Sequence, residues 1–148
     1  MREPDTTGVI CRCIVGRGMT ENQLAQVVVN KAYEIHAGLG PGLFESVYHA
    51  VLLQELRAAQ IAVETQVPVP VVWKEAKLEI GFIADLILEG KLIVELKSVE
   101  KLSQVHMKQL TTYLKLTGCR LGLLINFGDA LIRGNIKRIV NGLRDDEP

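Results

Sequence analysis

The sequence is short of several features that would narrow its function at once. It carries no net charge, with 17 basic and 17 acidic residues among 148. That balance excludes a generally basic coat for nucleic acid. Its cysteines number three, Cys11, Cys13 and Cys119. An odd count without framework spacing predicts reduced thiols rather than a disulfide scaffold. Cys11-x-Cys13 has no second pair to complete a four-ligand zinc site. No apolar run is long enough to span a bilayer. Met1 to Gly18 lacks a secretory hydrophobic region. These absences predict a cytoplasmic protein with no membrane partner. Internal repeats are lacking too, and the single tryptophan, Trp73, reads as a packing residue rather than a stacking platform for bases.

What is present fits one domain with a real core. Residues 1–18 have no sustained period and several glycines, and read as a flexible extension. Met19 is a second candidate start, with Thr20 as an N-cap. The domain is expected over residues 19–144, with 145–148 an acidic tail. Helical spacing runs through Leu24, Val27, Val28, Ala32 and Ile35 to Gly38. After the Gly38–Gly42 break, a second helix is predicted from about Leu43 to Ala59. Val63 to Trp73 is β-branched and extended, and Pro68 and Pro70 mark it as an edge strand or a bulge. Leu78–Leu88 and Lys91–Lys97 read as the next two strands. A third helix ends near Thr117-Gly118, and Arg120–Asn126 is a buried strand. Ile136–Leu143 reads as a last helix. This order predicts an α/β fold, a mixed β-sheet flanked by helices.

Charge is distributed unevenly. From Met19 to Gly90, four basic residues face nine acidic ones, a balance of −5. From Lys91 to Arg144, ten basic residues face three acidic ones, a balance of +7. Such asymmetry permits a local basic surface, although solvated faces often differ this way. Lys101, Lys108, Arg133, Lys137 and Arg138 are candidate phosphate-backbone contacts.

The informative departures are Asp85, Glu95 and Lys97, charged groups inside apolar strand patterns. Such groups are costly to desolvate unless paired or bound to a cation. Alternation puts Glu95 and Lys97 on one face and Leu96 on the other. A two-residue Glu89-Gly90 turn would put Asp85 opposite Val94. A three-residue loop instead pairs Leu88 with Leu92 and Asp85 with Glu95, and sets Leu86 opposite Val94 and Ala84 opposite Leu96 on the other face. The hydrophobic pattern favours the three-residue loop, with Gly90 at its left-handed position. Two hard oxygen ligands beside an ammonium form a site suited to Mg2+ (or Mn2+) and a phosphate.

Three further stretches accompany this trio: Gly42-Leu43-Phe44-Glu45-Ser46-Val47-Tyr48, then Gln109-Leu110-Thr111-Thr112-Tyr113, then Leu124-Ile125-Asn126-Phe127-Gly128. Together they resemble the GxxExxY protein family, a branch of the PD-(D/E)XK nuclease-like superfamily. The resemblance covers roughly Asn22 to Leu143. Gly42, Glu45 and Tyr48 match the motif that names the family, Asp85 the superfamily aspartate, and Glu95 and Lys97 its E-x-K. Gln109 and Tyr113 match a Q-x-x-x-Y helix element of related branches. The resemblance implies a single-domain restriction-endonuclease-like fold and a Mg2+-dependent nuclease acting on DNA, or on RNA.

The chemistry agrees with these residue types. Phosphodiester hydrolysis needs a positioned water and charge stabilisation. Asp85 and Glu95 would be metal ligands, joined by Glu45 directly or through a water. Lys97 would orient the water or stabilise developing charge. Glu45 alone reads equally as a carboxylate at the positive end of a helix dipole. Tyr48, Gln109 and Tyr113 are expected to support the site or bind substrate, and His106 lies one turn before Gln109. His36 and His49 read as structural. Two other readings stand beside the enzyme: a nuclease-fold module that binds nucleic acid or protein without catalysis, and a homo-oligomeric structural subunit. Val69–Trp73 is the apolar stretch available for association.

Overall fold

A computed structural model describes residues 18–144 and 146. Readings that concern residues 1–17, including Cys11 and Cys13, and most of the acidic tail lie outside them. The elements run α1 (Glu21–Leu39), α2 (Glu45–Ala58), β1 (Val63–Trp73), β2 (Ala76–Leu88), β3 (Leu92–Lys97), α3 (Gln104–Thr117), β4 (Leu121–Asn126) and β5 (Ile136–Val140). Among the described residues the strands form one five-stranded sheet in sequential order. Only β3 and β4 are parallel, with α3 as their crossover. The other pairs are antiparallel, so the sheet is mixed. Among the described residues no helix is long and apolar enough to cross a membrane.

The helices start and stop where local chemistry directs. Thr20 caps α1 in a reciprocal box with Gln23. Gly118, left-handed, ends α3 with its amide on the Leu114 carbonyl. β1 lies at the sheet edge, where its prolines are tolerated, and its register slips between Val69 and Val71.

Two apolar layers sandwich the sheet. On one face α1 and α2 bring Leu24, Val28, Tyr48 and Leu52 against Leu86, Val94, Leu96 and Leu123. On the other, α3 brings Leu110, Tyr113 and Leu114 against Ile87, Ile93 and Leu124. This is an α/β arrangement, a mixed sheet with helices on both faces.

Four expectations are corrected. Ile136–Val140 is strand β5, not a helix: it pairs antiparallel with β4 and covers an edge that would otherwise be open. Its five residues are too short for period to decide, and β-branched Ile136, Ile139 and Val140 favour a strand. Trp73 does not pack; it is 68% exposed beside the turn joining β1 to β2. Cys119 is disulfide-bonded rather than a reduced thiol. An odd count leaves one thiol over but does not forbid a bridge. Finally, Ala84 packs on the α3 face, whereas Leu86 packs on the α1/α2 face. Strict alternation would place both on one side.

That last departure has a local cause. Val63 packs towards α1 and α2, yet Val67, four residues on, packs towards α3. Both strands therefore exchange faces between Thr65↔Leu86 and Val67↔Ala84, at the unpaired positions Gln66 and Asp85. Gln66 sits at φ 48°, a conformation rare outside glycine that breaks the pleat. The fold thus places an irregularity beside its most informative carboxylate.

Candidate active site

β2 and β3 are joined by Glu89, Gly90 and Lys91, with the register Leu88↔Leu92, Ile87↔Ile93 and Leu86↔Val94. This is the register of the three-residue loop. Beyond Leu86 and Val94 the two strands part. β3 continues to Lys97 alongside β4, and β2 continues alongside β1. At the parting, carboxylates replace ladder bonds. The Asp85 amide donates to Glu95 Oε1 at 2.9 Å. The Leu96 amide donates to Asp85 Oδ2 at 2.8 Å. The Asp85 carbonyl faces His49 Nε2 at 3.2 Å. The backbone of Asp85 is satisfied without the sheet, which is how a strand can open there without leaving buried polar groups unpaired.

The opening lets residues from both layers approach one spot. α2 contributes Glu45 and His49; with Ser46, Gln66 and Asp85 they line a cleft of about 340 Å³. α3 contributes Tyr113, 8% exposed and tilted against Phe82 at 5.0 Å. Glu95 is 5% exposed. Burial first, and then Asp85, push its carboxyl up to about 8. Glu45 is also raised, by burial and Asp85 against the pull of Lys97 and His49. The Tyr113 phenol is pushed up to about 12 by burial and by the charges of Glu95 and Asp85. Half-buried Lys97 acts on both Glu45 and Glu95, while no ion pair or hydrogen bond among the described residues occupies its ammonium.

The structure therefore brings Glu45, Asp85, Glu95, Lys97 and Tyr113 into one electrostatic neighbourhood. Gln109, half-buried, lies one turn before Tyr113 on α3. His106 is instead a structural group, accepting from the Ser103 amide at the helix start. His36 faces the Asp129 carbonyl at 2.8 Å. Tyr48 is remote from the acids in function: its hydroxyl donates to the Gly40 carbonyl at 2.5 Å and accepts from the Leu43 amide at 3.2 Å. Its ring, fully buried, stacks on Phe127 with centroids 4.5 Å apart. Gly42, at φ 99°, turns the chain between those two anchors. Tyr48 thus fixes the loop that aims Glu45.

Sequence reasoning missed two participants. Gln66 had no motif to mark it. His49 was set aside as structural, although its place four residues after Glu45 puts both on one helix face.

The donor chemistry fits a hard divalent cation. Asp85 and Glu95 each accept one backbone amide, and their carboxyl groups also meet each other. Burial and the adjoining Asp85 carboxylate hold the Glu95 carboxyl above its usual range, and a cation bound between the two side chains would relieve that. Among the described residues no three His, Cys, Asp or Glu side chains are gathered closely enough to enclose a metal.

Comparison with known proteins agrees with this geometry. A family model described as PD-(D/E)XK nuclease superfamily matches residues 22–139. No curated protein and no solved structure matches the chain.

Proposed function

This chain belongs to the PD-(D/E)XK nuclease superfamily, and on that premise we propose that it is a metal-dependent nuclease. It hydrolyses phosphodiester bonds in nucleic acid, DNA in preference to RNA, with Mg2+ or Mn2+ as the working ion. Within the superfamily we place it in the GxxExxY branch on Gly42, Glu45 and Tyr48. We assign the nuclease domain to residues 19–144, flanked by a short extension and an acidic tail.

The observation that carries this reading is the interlock of Asp85 and Glu95 across the parted strands, beside Lys97. Packing alone gives no reason for two carboxylates and a lysine there. Phosphodiester hydrolysis calls for all three. The carboxylates of Asp85 and Glu95 would hold the cation, with Glu45 acting through a water. The bound cation would supply positive charge to the phosphate and acidify water. Lys97 orients the attacking water or meets charge developing on the phosphate oxygens. Tyr113, whose phenol keeps its proton well above neutral pH, donates a hydrogen bond to a phosphate oxygen, as does the Gln109 amide.

The deciding experiment titrates Mg2+ and Mn2+ into wild type and Asp85→Ala, following binding and cleavage of single- and double-stranded DNA and RNA. Metal-dependent cleavage by wild type and none by Asp85→Ala is the expected result. Wild type that binds a nucleic acid but cleaves none would make the chain a binding module instead.

A further inference from the structure

A second cleft lies on the other side of Glu45. It measures about 460 Å³ and is walled by the Gly42–Glu45 loop on one side and by Ser98, Val99, Glu100 and Gly128 on the other. Two sequence stretches that the catalytic chemistry leaves unused converge on it. From the first, Tyr48 pins the Gly40–Leu43 loop. From the second, Phe127 stacks on Tyr48, and Asn126 ties the floor together. Asn126, fully buried, accepts from the amides of Val99 and Gly128 at 3.0 Å each and donates to the Val99 carbonyl at 2.9 Å. A Cβ on Gly128 would lie 2.3 Å from the Val99 carbonyl oxygen, so only glycine closes this floor. Ser98 Oγ donates across the cleft to the Leu43 carbonyl at 2.7 Å. These bonds brace the cleft, which shares Glu45 with the catalytic cleft.

At its rim stands Phe44, 84% exposed. Folding gives no account of a phenylalanine here. It occupies the N-cap of α2, where small polar residues stabilise a helix, and makes no capping bond. Its ring contributes almost no burial to the core. This flat apolar ring lines the cleft beside Glu45, which also lines the candidate catalytic cleft. The cleft's own charged groups are both carboxylates, Glu45 and Glu100, so a phosphate is repelled and a neutral base is not.

We propose that this cleft is a nucleobase subsite: Phe44 stacks on an unpaired base beside the scissile phosphate, and the substrate is a nucleic acid with a single-stranded segment at the cut. This rests on the nuclease reading for its orientation but not for its test. Stacking needs a base free of its own duplex partners, so a continuous duplex cannot use the cleft.

The test uses the full chain as wild type, Phe44→Ala and Phe44→Trp. Each is titrated with Ca2+ present into a 2-aminopurine-labelled single-stranded oligodeoxynucleotide and into the same strand in a blunt duplex. Wild type should quench the fluorophore in the single strand. Phe44→Ala should lose that quenching and about tenfold or more in affinity for the single strand, and Phe44→Trp should restore both. Duplex affinity should be the same in all three. Melting temperatures should coincide, because the ring is exposed. Equal single-strand affinity of wild type and Phe44→Ala would overturn the proposal. So would equal losses on both substrates, no binding by wild type, or a change of oligomeric state in Phe44→Ala by gel filtration, which would assign the ring to a second copy of the chain. Because binding is read without cleavage, a wild type that binds as described but never cuts would refute the nuclease reading and leave the subsite standing.

Discussion

The two halves of β3 answer different demands. Leu92, Ile93 and Val94 are buried, apolar and paired on both sides, with β2 and with β4. Glu95, Leu96 and Lys97 are paired on the β4 side alone, and across from β2 the ladder bonds are replaced by carboxylate oxygens. The first half is held by hydrophobic burial and hydrogen bonds that any apolar strand would make. The second gives up one neighbour so that charged groups can gather in a partly dry gap. The candidate site thus coincides with the place where the sheet is unzipped, and the zipped half is the packed frame beside it.

If the halves are separable, their mutants should fail in opposite ways. Asp85→Ala is expected to abolish measurable cleavage while leaving a folded chain. The Leu96 amide loses its acceptor, a cost of about 1–3 kcal/mol, but Glu95 is relieved of a like charge. Ile93→Ala, two residues from Glu95, should cost about 2–5 kcal/mol of stability and leave cleavage per folded molecule nearly unchanged. Denaturant melts beside single-turnover assays will tell; a large loss of specific activity in Ile93→Ala would mean that the halves are not independent.

Lys97→Ala should reduce the cleavage rate by on the order of 100-fold, the scale of removing one group aimed at transition-state charge. Metal binding by calorimetry should persist, since Asp85 and Glu95 remain. A variant that cleaves as fast as wild type would remove Lys97 from the mechanism.

Glu95 gives a smaller and pH-dependent effect. Its proton affinity is raised in the fold, to about 8 from 4.5. The folded state therefore holds a proton that the unfolded state has released between those values. Stability from this group is fully present below about pH 4.5 and is lost as pH rises towards 8. Without metal, the melting temperature of wild type should fall by more over this window than that of Glu95→Gln, which keeps an acceptor for the Asp85 amide and has no charge to bury. Mg2+ or Mn2+ should raise the wild-type value and leave Glu95→Gln less affected. Parallel melting curves for the two proteins at all pH values would contradict this account.

The mildest change is Tyr48→Phe. The stack on Phe127 survives, and only the bridge from the hydroxyl to Gly40 and Leu43 is lost. About 1 kcal/mol of stability should go, with a modest drop in cleavage as Glu45 loses its aim. Tyr48→Ala, which also removes the stack, should be far worse in thermal melts.

Much of this was legible before any coordinates, for reasons particular residues make clear. Thr20 capped its helix because capping needs only neighbours in sequence. Pro68 and Pro70 lay on an edge strand with a bulge because proline has no amide for a ladder. The three-residue loop followed from setting apolar Leu86 opposite Val94 and Leu88 opposite Leu92, and it alone placed Asp85 across from Glu95. Less legible were features that depend on partners distant in the chain. β5 read as a helix because five residues carry too little period to show that β4 needed a neighbour. Gln66 and His49 entered the site through contacts made only once β1 and α2 had docked on β2.

What the sequence by itself determined is every element but β5, the β2–β3 register and the identity of the charged groups that do not belong in a core. Short-range sterics, capping and alternation act within a few residues, so they are written locally. What only the tertiary structure decided is that β2 and β3 part after Leu86 and Val94, that β1 and β2 exchange faces at Gln66 and Asp85, and that α2 and α3 reach one gap from opposite sides of the sheet. Each depends on packing between segments tens of residues apart. That packing energy is summed over whole faces rather than residue by residue, and only the assembled sheet shows where it gives way to a site.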